Sequence, residues 1–155
     1  MDITITINKK EVLHQVKAET YLTGEALKVD DITKVSSAAY SQASDDNDDI
    51  LSTYLSMAES AVRDILTPYV RSVSTDGDEV SYQCAMPQWY DESQTSAIVR
   101  GITSYMAAYI LYRWYGRVAP GKADTSEIEM LKSDIAHRLN QRVRPTRRIA
   151  QPLNF

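Results

Sequence analysis

Cysteine, phenylalanine, histidine and glycine are all scarce in this chain of 155 residues: one Cys, one Phe, two His and five Gly. A single cysteine, Cys84, excludes an intramolecular disulfide and a thiolate metal cluster. It falls in a β-prone stretch, where a packed thiol is expected rather than a nucleophile. His14 and His137 stand outside any H-x-x-x-H or H-E-x-x-H spacing, so the sequence supplies no compact zinc signature. No G-x-S-x-G, glycine-rich phosphate loop or C-x-x-C occurs, which removes the commonest signatures of acyl-transfer, nucleotide and thiol-redox enzymes. The N-terminus, MDITITINKK, lacks a basic n-region and a long apolar h-region, so no signal peptide is read and an intracellular site of synthesis is expected. Neither a cofactor nor catalysis is expected.

What the chain has in abundance is tyrosine, ten residues against the single phenylalanine. Tyrosine brings apolar area with a polar tip, so many rings are expected at surfaces or seams. An apolar fraction of 43% and a charged fraction of 25% are those of an ordinary globular domain. The net charge of −4 conceals a division. Residues 1–96 hold 17 acids and 7 Lys or Arg, net −10, whereas residues 97–155 hold 4 acids and 10 Lys or Arg, net +6. Such a split suits head-to-tail stacking of subunits or a basic side turned to nucleic acid, and equally two solvated ends of one domain.

The longest apolar stretch is Ala97 to Tyr115, AIVRGITSYMAAYILYRWY. Its apolar residues go round the whole helical circumference, so it reads as a buried central helix. A membrane span is not expected: Arg100 and Arg113 leave 12 uncharged residues between them, where a bilayer needs about 20. Tyr105, Tyr109 and Tyr112 recur at i, i+4 and i+7 on one face, as a core stripe or as a subunit contact.

In order, Asp2–Asn8 alternates Ile3, Ile5 and Ile7 with threonines and reads as a strand that joins a later hairpin or adds to a neighbour's sheet. Lys10–Leu27 carries a moderate helical stripe that Gly24 weakens or ends. Residues 28–44 read as a linker with a short turn at Asp31–Val35. Asp45, Asp46, Asp48 and Asp49 then precede an apolar run and suit the positive end of a helix. They lack the spaced pattern and twelfth-position Glu of a calcium loop, and no second carboxylate pair supports Mg²⁺ chemistry. The helix that follows, Ile50–Leu66, is expected to bury Ile50, Tyr54, Met57, Ala58, Ala61, Val62 and Ile65, and Pro68 stops it. Tyr69–Thr75 and Glu79–Ala85, joined through Asp76-Gly77, predict a β-hairpin over 69–86. Asp91 with Gln94, and Asp124 with Glu127, resemble capping boxes for the central helix and for a last helix, Thr125 to about Val143, with Ile128, Leu131 and Ile135 on its apolar face. The end, RPTRRIAQPLNF, reads as an extended tail. The fold class expected is mostly α with a small β element: a helical bundle around a buried central helix, with an inserted hairpin and an N-terminal strand.

The order of these parts, D-D-I-L at 48–51, the helix ILSTYLSMAESAVRDIL, a β insertion, a very apolar helix and a charged last helix, resembles the head–tail connector proteins of tailed bacteriophages. Asp48, Asp49, Ala58 and Val62 carry the family's D-D-x-x-L opening and A-x-x-x-V step. The likeness divides the chain into an N-terminal extension (1–44), a connector-like domain (45–143) and a basic tail (144–155). The extension resembles larger ring proteins of short-tailed phages of the crAss-like group. The resemblance implies a homo-oligomeric ring, commonly of about twelve copies, made in the host cytoplasm and seated at the head–tail junction of the virion. There it would lie between the portal protein and the next tail or ring protein, around the DNA channel. Tyr105, Tyr109, Tyr112, Asp45, Asp46, Asp48 and Asp49 are the candidate subunit-interface residues.

Arg138, Arg142, Arg144, Arg147 and Arg148 place five guanidinium groups within 11 residues. They suit contact with an acidic surface of an adjacent protein, or sequence-independent contact with packaged DNA through phosphate oxygens. The alternative function class is a small nucleic-acid-binding or regulatory helical module using this region. Against it stands the overall acidity, with a sequence pI near 5.2. Deletion of residues 144–155 is expected to weaken ring formation or portal docking; assembly and docking equal to the full chain would remove the tail from both.

Overall fold

The computed structural model describes residues 1–30, 43 and 47–143, and within 24–30 the backbone only. Its elements are β1 (Asp2–Asn8), α1 (Lys9–Asp30), α2 (Asp48–Leu66), β2 (Val70–Asp76), β3 (Glu79–Ala85), α3 (Thr95–Val118) and α4 (Ser126–Leu139). Short 3₁₀ turns at Glu92–Gln94 and Pro120–Lys122 bracket α3. The fold is mostly α with one small antiparallel sheet, as the sequence leads one to expect. Residues 31–42, 44–46 and 144–155 lie outside the described residues, and with them the turn expected at Asp31–Val35 and the extended tail.

The period-two pattern of β1 has a direct cause. Ile3, Ile5 and Ile7 face the core, and Thr4 and Thr6 face outward. β1 pairs antiparallel with β3, from Asp2 opposite Ala85 to Asn8 opposite Glu79, and β2 pairs with the other edge of β3. The leading strand is therefore not left for a neighbour: its ladder is made within the chain. On the outer face Thr4 donates to the Gln83 Oε1 at 3.0 Å, and the Thr6 and Ser81 hydroxyls lie 3.0 Å apart. The inner face of β3 presents Val80, Tyr82 and Cys84, all buried. Burial pushes the Cys84 thiol up, keeping it protonated and unreactive. The turn to β3 is closed by Gly77 at φ +58°, a left-handed conformation that costs glycine nothing.

Helix α1 starts where Asn8 Oδ1 accepts the backbone N–H groups of Lys10 and Glu11. It continues past Gly24 to Asp30, beyond the end expected at Leu27. One glycine costs a helix roughly 1 kcal/mol relative to Ala; Val12, Val16 and Thr20, fully buried over the preceding turns, anchor the helix well enough to offset it.

Helix α2 corrects the expected face. Ala58 and Val62 are buried as expected, but they belong to a stripe with Leu51, Leu55 and Leu66, while Ile50, Tyr54, Met57, Ala61 and Ile65 are only half-buried. Apolar residues occur in adjacent pairs along this helix, giving two neighbouring stripes of the same period, and periodicity alone does not choose between them.

Helix α3 is the hub. Ile98, Ile102, Tyr105, Met106, Ala107, Ala108, Ile110 and Trp114 are buried round its circumference, and α1, α2, α4 and β1 all pack on it. Arg100 and Arg113 stay exposed. Among the described residues no helix is long and apolar enough to cross a membrane. Along α1 and α3, His14, Gln15 and Ala18 share a cavity with Ser104, Ala107 and Ala108, and Thr23 shares the next with Tyr112 and Tyr115, so the two helices run parallel. Tyr54, early in α2, instead meets Tyr112 and Arg113, late in α3, so α2 runs antiparallel to it. Helix α4 comes close because residue 101 is glycine: a Cβ there would sit 3.3 Å from Ile135 Cγ1.

α4 ends at Leu139, four residues short of the Val143 expected, because the chain turns back to form a β-bridge between Tyr90 and Arg142. Ile5→Ala is expected to destabilise the chain by about 2–5 kcal/mol, with Val73→Ala, on the exposed strand β2, within about 0.5 kcal/mol of the parent. Urea unfolding followed by circular dichroism measures both; equal effects would contradict the placement of the sheet.

Candidate contact surfaces

The three tyrosines on one face of α3 do not share one environment. Tyr105 is 4% exposed and belongs to the core, which removes it as an interface residue. Of the two readings of this face, core stripe and subunit contact, Tyr105 meets the first, because α2 and α4 both lie near that turn of α3. Burial first, then the neighbouring Tyr109, raises its phenol pKa. Tyr109 and Tyr112, one and two turns further on, are half-buried. Arg113 donates through Nη2 to the Tyr109 hydroxyl at 3.2 Å, and its guanidinium carbon stands 5.5 Å from that ring's centroid. Beyond it α3 opens a groove of about 380 Å³ lined by Tyr54, Tyr112, Arg113, Gly116, Arg117 and Ala123. Two phenols and two guanidinium groups make a surface suited to an anionic, partly apolar visitor.

The acidic run is divided as well. Asp48 and Asp49 fall in the first turn of α2, where the helix dipole favours them. Asp48 also accepts from Lys17 Nζ at 3.0 Å, tying α2 to α1. Asp49 is exposed. Asp45 and Asp46 lie outside the described residues.

Of the five arginines near the C-terminus, two already have intramolecular work. Arg138 donates through Nε to Asp134 at 2.9 Å and through Nη1 to the Gln94 Oε1 at 3.1 Å, bridging α4 to the entry of α3. Gln94 therefore does not complete a capping box. Asp91 caps alone, its Oδ1 accepting from the Ser93 N–H and hydroxyl at 3.0 and 2.7 Å. Arg142 stacks on Trp89, with 4.9 Å between its guanidinium carbon and the ring centroid, and Val143 N–H donates to the Trp89 carbonyl. This clamp holds Arg142 and Val143 beside the 87–91 loop. Arg144, Arg147 and Arg148 lie outside the described residues. The second expected box behaves like the first: Asp124 accepts from the Ser126 N–H and hydroxyl, which holds its carboxyl below the usual range.

Tyr54, Arg117 and the hairpin were not singled out by pattern as contact residues. The signal for Tyr54 was present as the second apolar stripe of α2. Nothing in the sequence shows that β2 overhangs the core: every residue from Arg71 to Asp76 is exposed. Under that overhang lies a cleft of about 270 Å³ lined by Ser56, Glu59, Ser60, Arg63, Val73, Val80 and Tyr82. Burial and, secondarily, the Glu59 carboxylate push the Tyr82 phenol up to about 12, against a smaller lowering by Arg63. A larger cavity of about 350 Å³ between α1 and α3 includes His14, Glu19 and Glu127. Among the described residues no group of three or more His, Cys, Asp or Glu is placed to hold a metal ion.

These features define a class: a mostly α domain with a small sheet, whose distinctive surfaces are an exposed acidic hairpin turn and a cationic tyrosine groove. Comparison with known proteins brings no match, whether to family models, to curated proteins or to solved structures.

The Tyr82 phenol gives a pH test. Its folded-state pKa lies above the unfolded value of 10, so the stability gained by burying it neutral is intact below pH 10 and drains away as pH rises toward 12. Between pH 9 and 11 the parent is expected to lose stability more steeply than Tyr82→Phe, as read by urea midpoints; Tyr90 and Tyr105, also raised, account for slope that remains. Identical slopes would place the hydroxyl in water.

Proposed function

We propose that this chain is a structural ring protein of a tailed-phage virion, seated between the portal and the tail around the DNA channel. The observation that carries the proposal is the order of elements: a helix opened by Asp48 and Asp49, a hairpin inserted directly after it, the buried helix α3, then α4. That is the order the resemblance to head–tail connectors calls for. Physically, β2 buries almost none of its side chains, so it adds to folding chiefly through its ladder to β3. Surface invested in this way has its use in contact outside the chain, and an adaptor works by such contacts alone. No bond is made or broken in this role, and the partners are further copies, the portal protein and the next tail or ring protein.

Contact with packaged DNA is a lesser part of the proposal, because Arg138 and Arg142 already hold intramolecular partners. A separate nucleic-acid-binding module would have to act through Arg144, Arg147 and Arg148, with the described surface contributing Arg100, Arg113 and Arg117 from α3.

Native mass spectrometry over a concentration series, with negative-stain images of the same samples and portal added in a parallel set, tests the function. Closed rings of about twelve copies, alone or templated by the portal, are expected. A chain that stays monomeric, ignores the portal and binds duplex DNA in a salt-sensitive way would replace this function with the nucleic-acid module.

A further inference from the structure

The hairpin turn and the tyrosine groove lie at opposite ends of the helical layer. The Asp78 carbonyl accepts the Lys9 N–H at 2.7 Å and its carboxylate lies 2.9 Å from Lys10 Nζ, so the turn is held at the very start of α1. The groove lies beside Tyr112 to Arg117 of α3, level with Thr23 of α1. Because α1 and α3 run parallel, that is a separation of roughly 20 Å at ~1.5 Å per residue.

The two ends are opposite in charge. Asp76, Asp78 and Glu79 surround Gly77 at the turn. Asp76 and Glu79 are exposed, face each other across the ladder, and form no ion pair among the described residues. At the other end α3 contains no acidic residue from Thr95 to Val118, and it ends in Arg113 and Arg117, both exposed. The described acids that flank the groove in sequence, Asp48, Asp49 and Asp124, are all exposed; Asp48 is bonded to Lys17 and Asp124 to Ser126, which leaves Asp49 without an ion pair among the described residues. The shapes also correspond. The side chains of β2 from Arg71 to Asp76 are exposed up to the turn, and Gly77, with nothing within 4 Å of its missing Cβ, presents bare backbone there. The groove offers two flat phenol rings to such a tip.

We propose that the acidic turn of one copy seats in the groove of the next. The Asp76 and Glu79 carboxylates take the Arg113 and Arg117 guanidinium groups, and Gly77 lies over the rings of Tyr54 and Tyr112. Charged forks of this kind pair bidentately and fix register as well as sign. Both halves of the contact are present on one chain at opposite ends, which selects a second copy as the occupant over a foreign acidic protein. A surface of this type is heterologous: it repeats head to tail, and closes when the rotation per copy divides a full turn. The inference rests on the ring function for closure only; the contact itself needs two copies.

Charge reversal tests it. The groove variant Arg113→Glu/Arg117→Glu and the turn variant Asp76→Lys/Glu79→Lys are surface changes, and circular dichroism with a urea midpoint near that of the parent qualifies each as folded. Self-association, measured by sedimentation velocity alone and on added portal, is expected to fall at least about tenfold for each variant. A chain carrying all four substitutions, with both signs exchanged, is expected to regain most of it. Parent and single-end variants assembling equally well would overturn the hairpin contact and leave the ring standing. A parent that assembles neither alone nor on the portal would overturn both. Loss in each variant without recovery in the fourfold chain would also overturn the pairing, since it assigns the two ends to different partners. Weakened capture of a separate acidic protein by the groove variant, with self-association unchanged, would transfer the groove to that protein.

Discussion

The burial of α3 on every side is the constraint from which the rest of the structure follows. A helix apolar all round has to be surrounded, and in a chain of 155 residues each surrounding element can give only one face. The isoleucines of β1, Val12 and Val16 of α1, the Leu51 to Leu66 stripe of α2, and Ile128, Ile135 and Leu139 of α4 are all spent in this way. Gly101 lets α4 approach closely enough to complete the cover. What remains wholly or partly exposed is therefore what the hub does not need: the half-buried second stripe of α2, the basic end of α3 and strand β2.

That division explains how far the sequence could be read. β1 and the central helix were legible because each has one dominant pattern, alternation in Ile3, Ile5 and Ile7 and all-round apolarity in Ala97–Tyr115. Asp76-Gly77 announced its turn because only glycine takes the required φ without strain. The face of α2 was legible only at Ala58 and Val62, because two stripes of equal period compete and the choice is made by α3. The pattern points to an end at Leu27, yet α1 runs on to Asp30, because local propensity at Gly24 is weaker than the packing of the turns before it.

The contact residues were read less well, for a related reason. Tyr105, Tyr109 and Tyr112 are alike in sequence, and only the reach of α2 and α4 separates a core phenol from two half-exposed ones. Arg138 and Arg142 look like free cations in sequence; Asp134 meets Arg138 one turn away on α4 itself, but Gln94 and Trp89 come to the two arginines only when the end of α4 lies against the 87–94 segment. The division of charge between the halves of the chain was visible from composition. Its placement, acidic at the hairpin and basic at the end of α3, needed the parallel run of α1 and α3.

The physical picture is of a core that closes within one chain among the described residues, with assembly, as proposed, through surfaces that core does not use. Hydrogen exchange by mass spectrometry, on the chain at its lowest workable concentration and again in the assembled state, tests that picture most directly. The amides of α3 from Ile98 to Trp114 and of β3 are expected to be equally slow in both states, with added protection on assembly confined to the hairpin turn and the end of α3. Fast exchange of α3 in the dilute chain, slowed only by assembly, would show that other copies complete the core, and would contradict it.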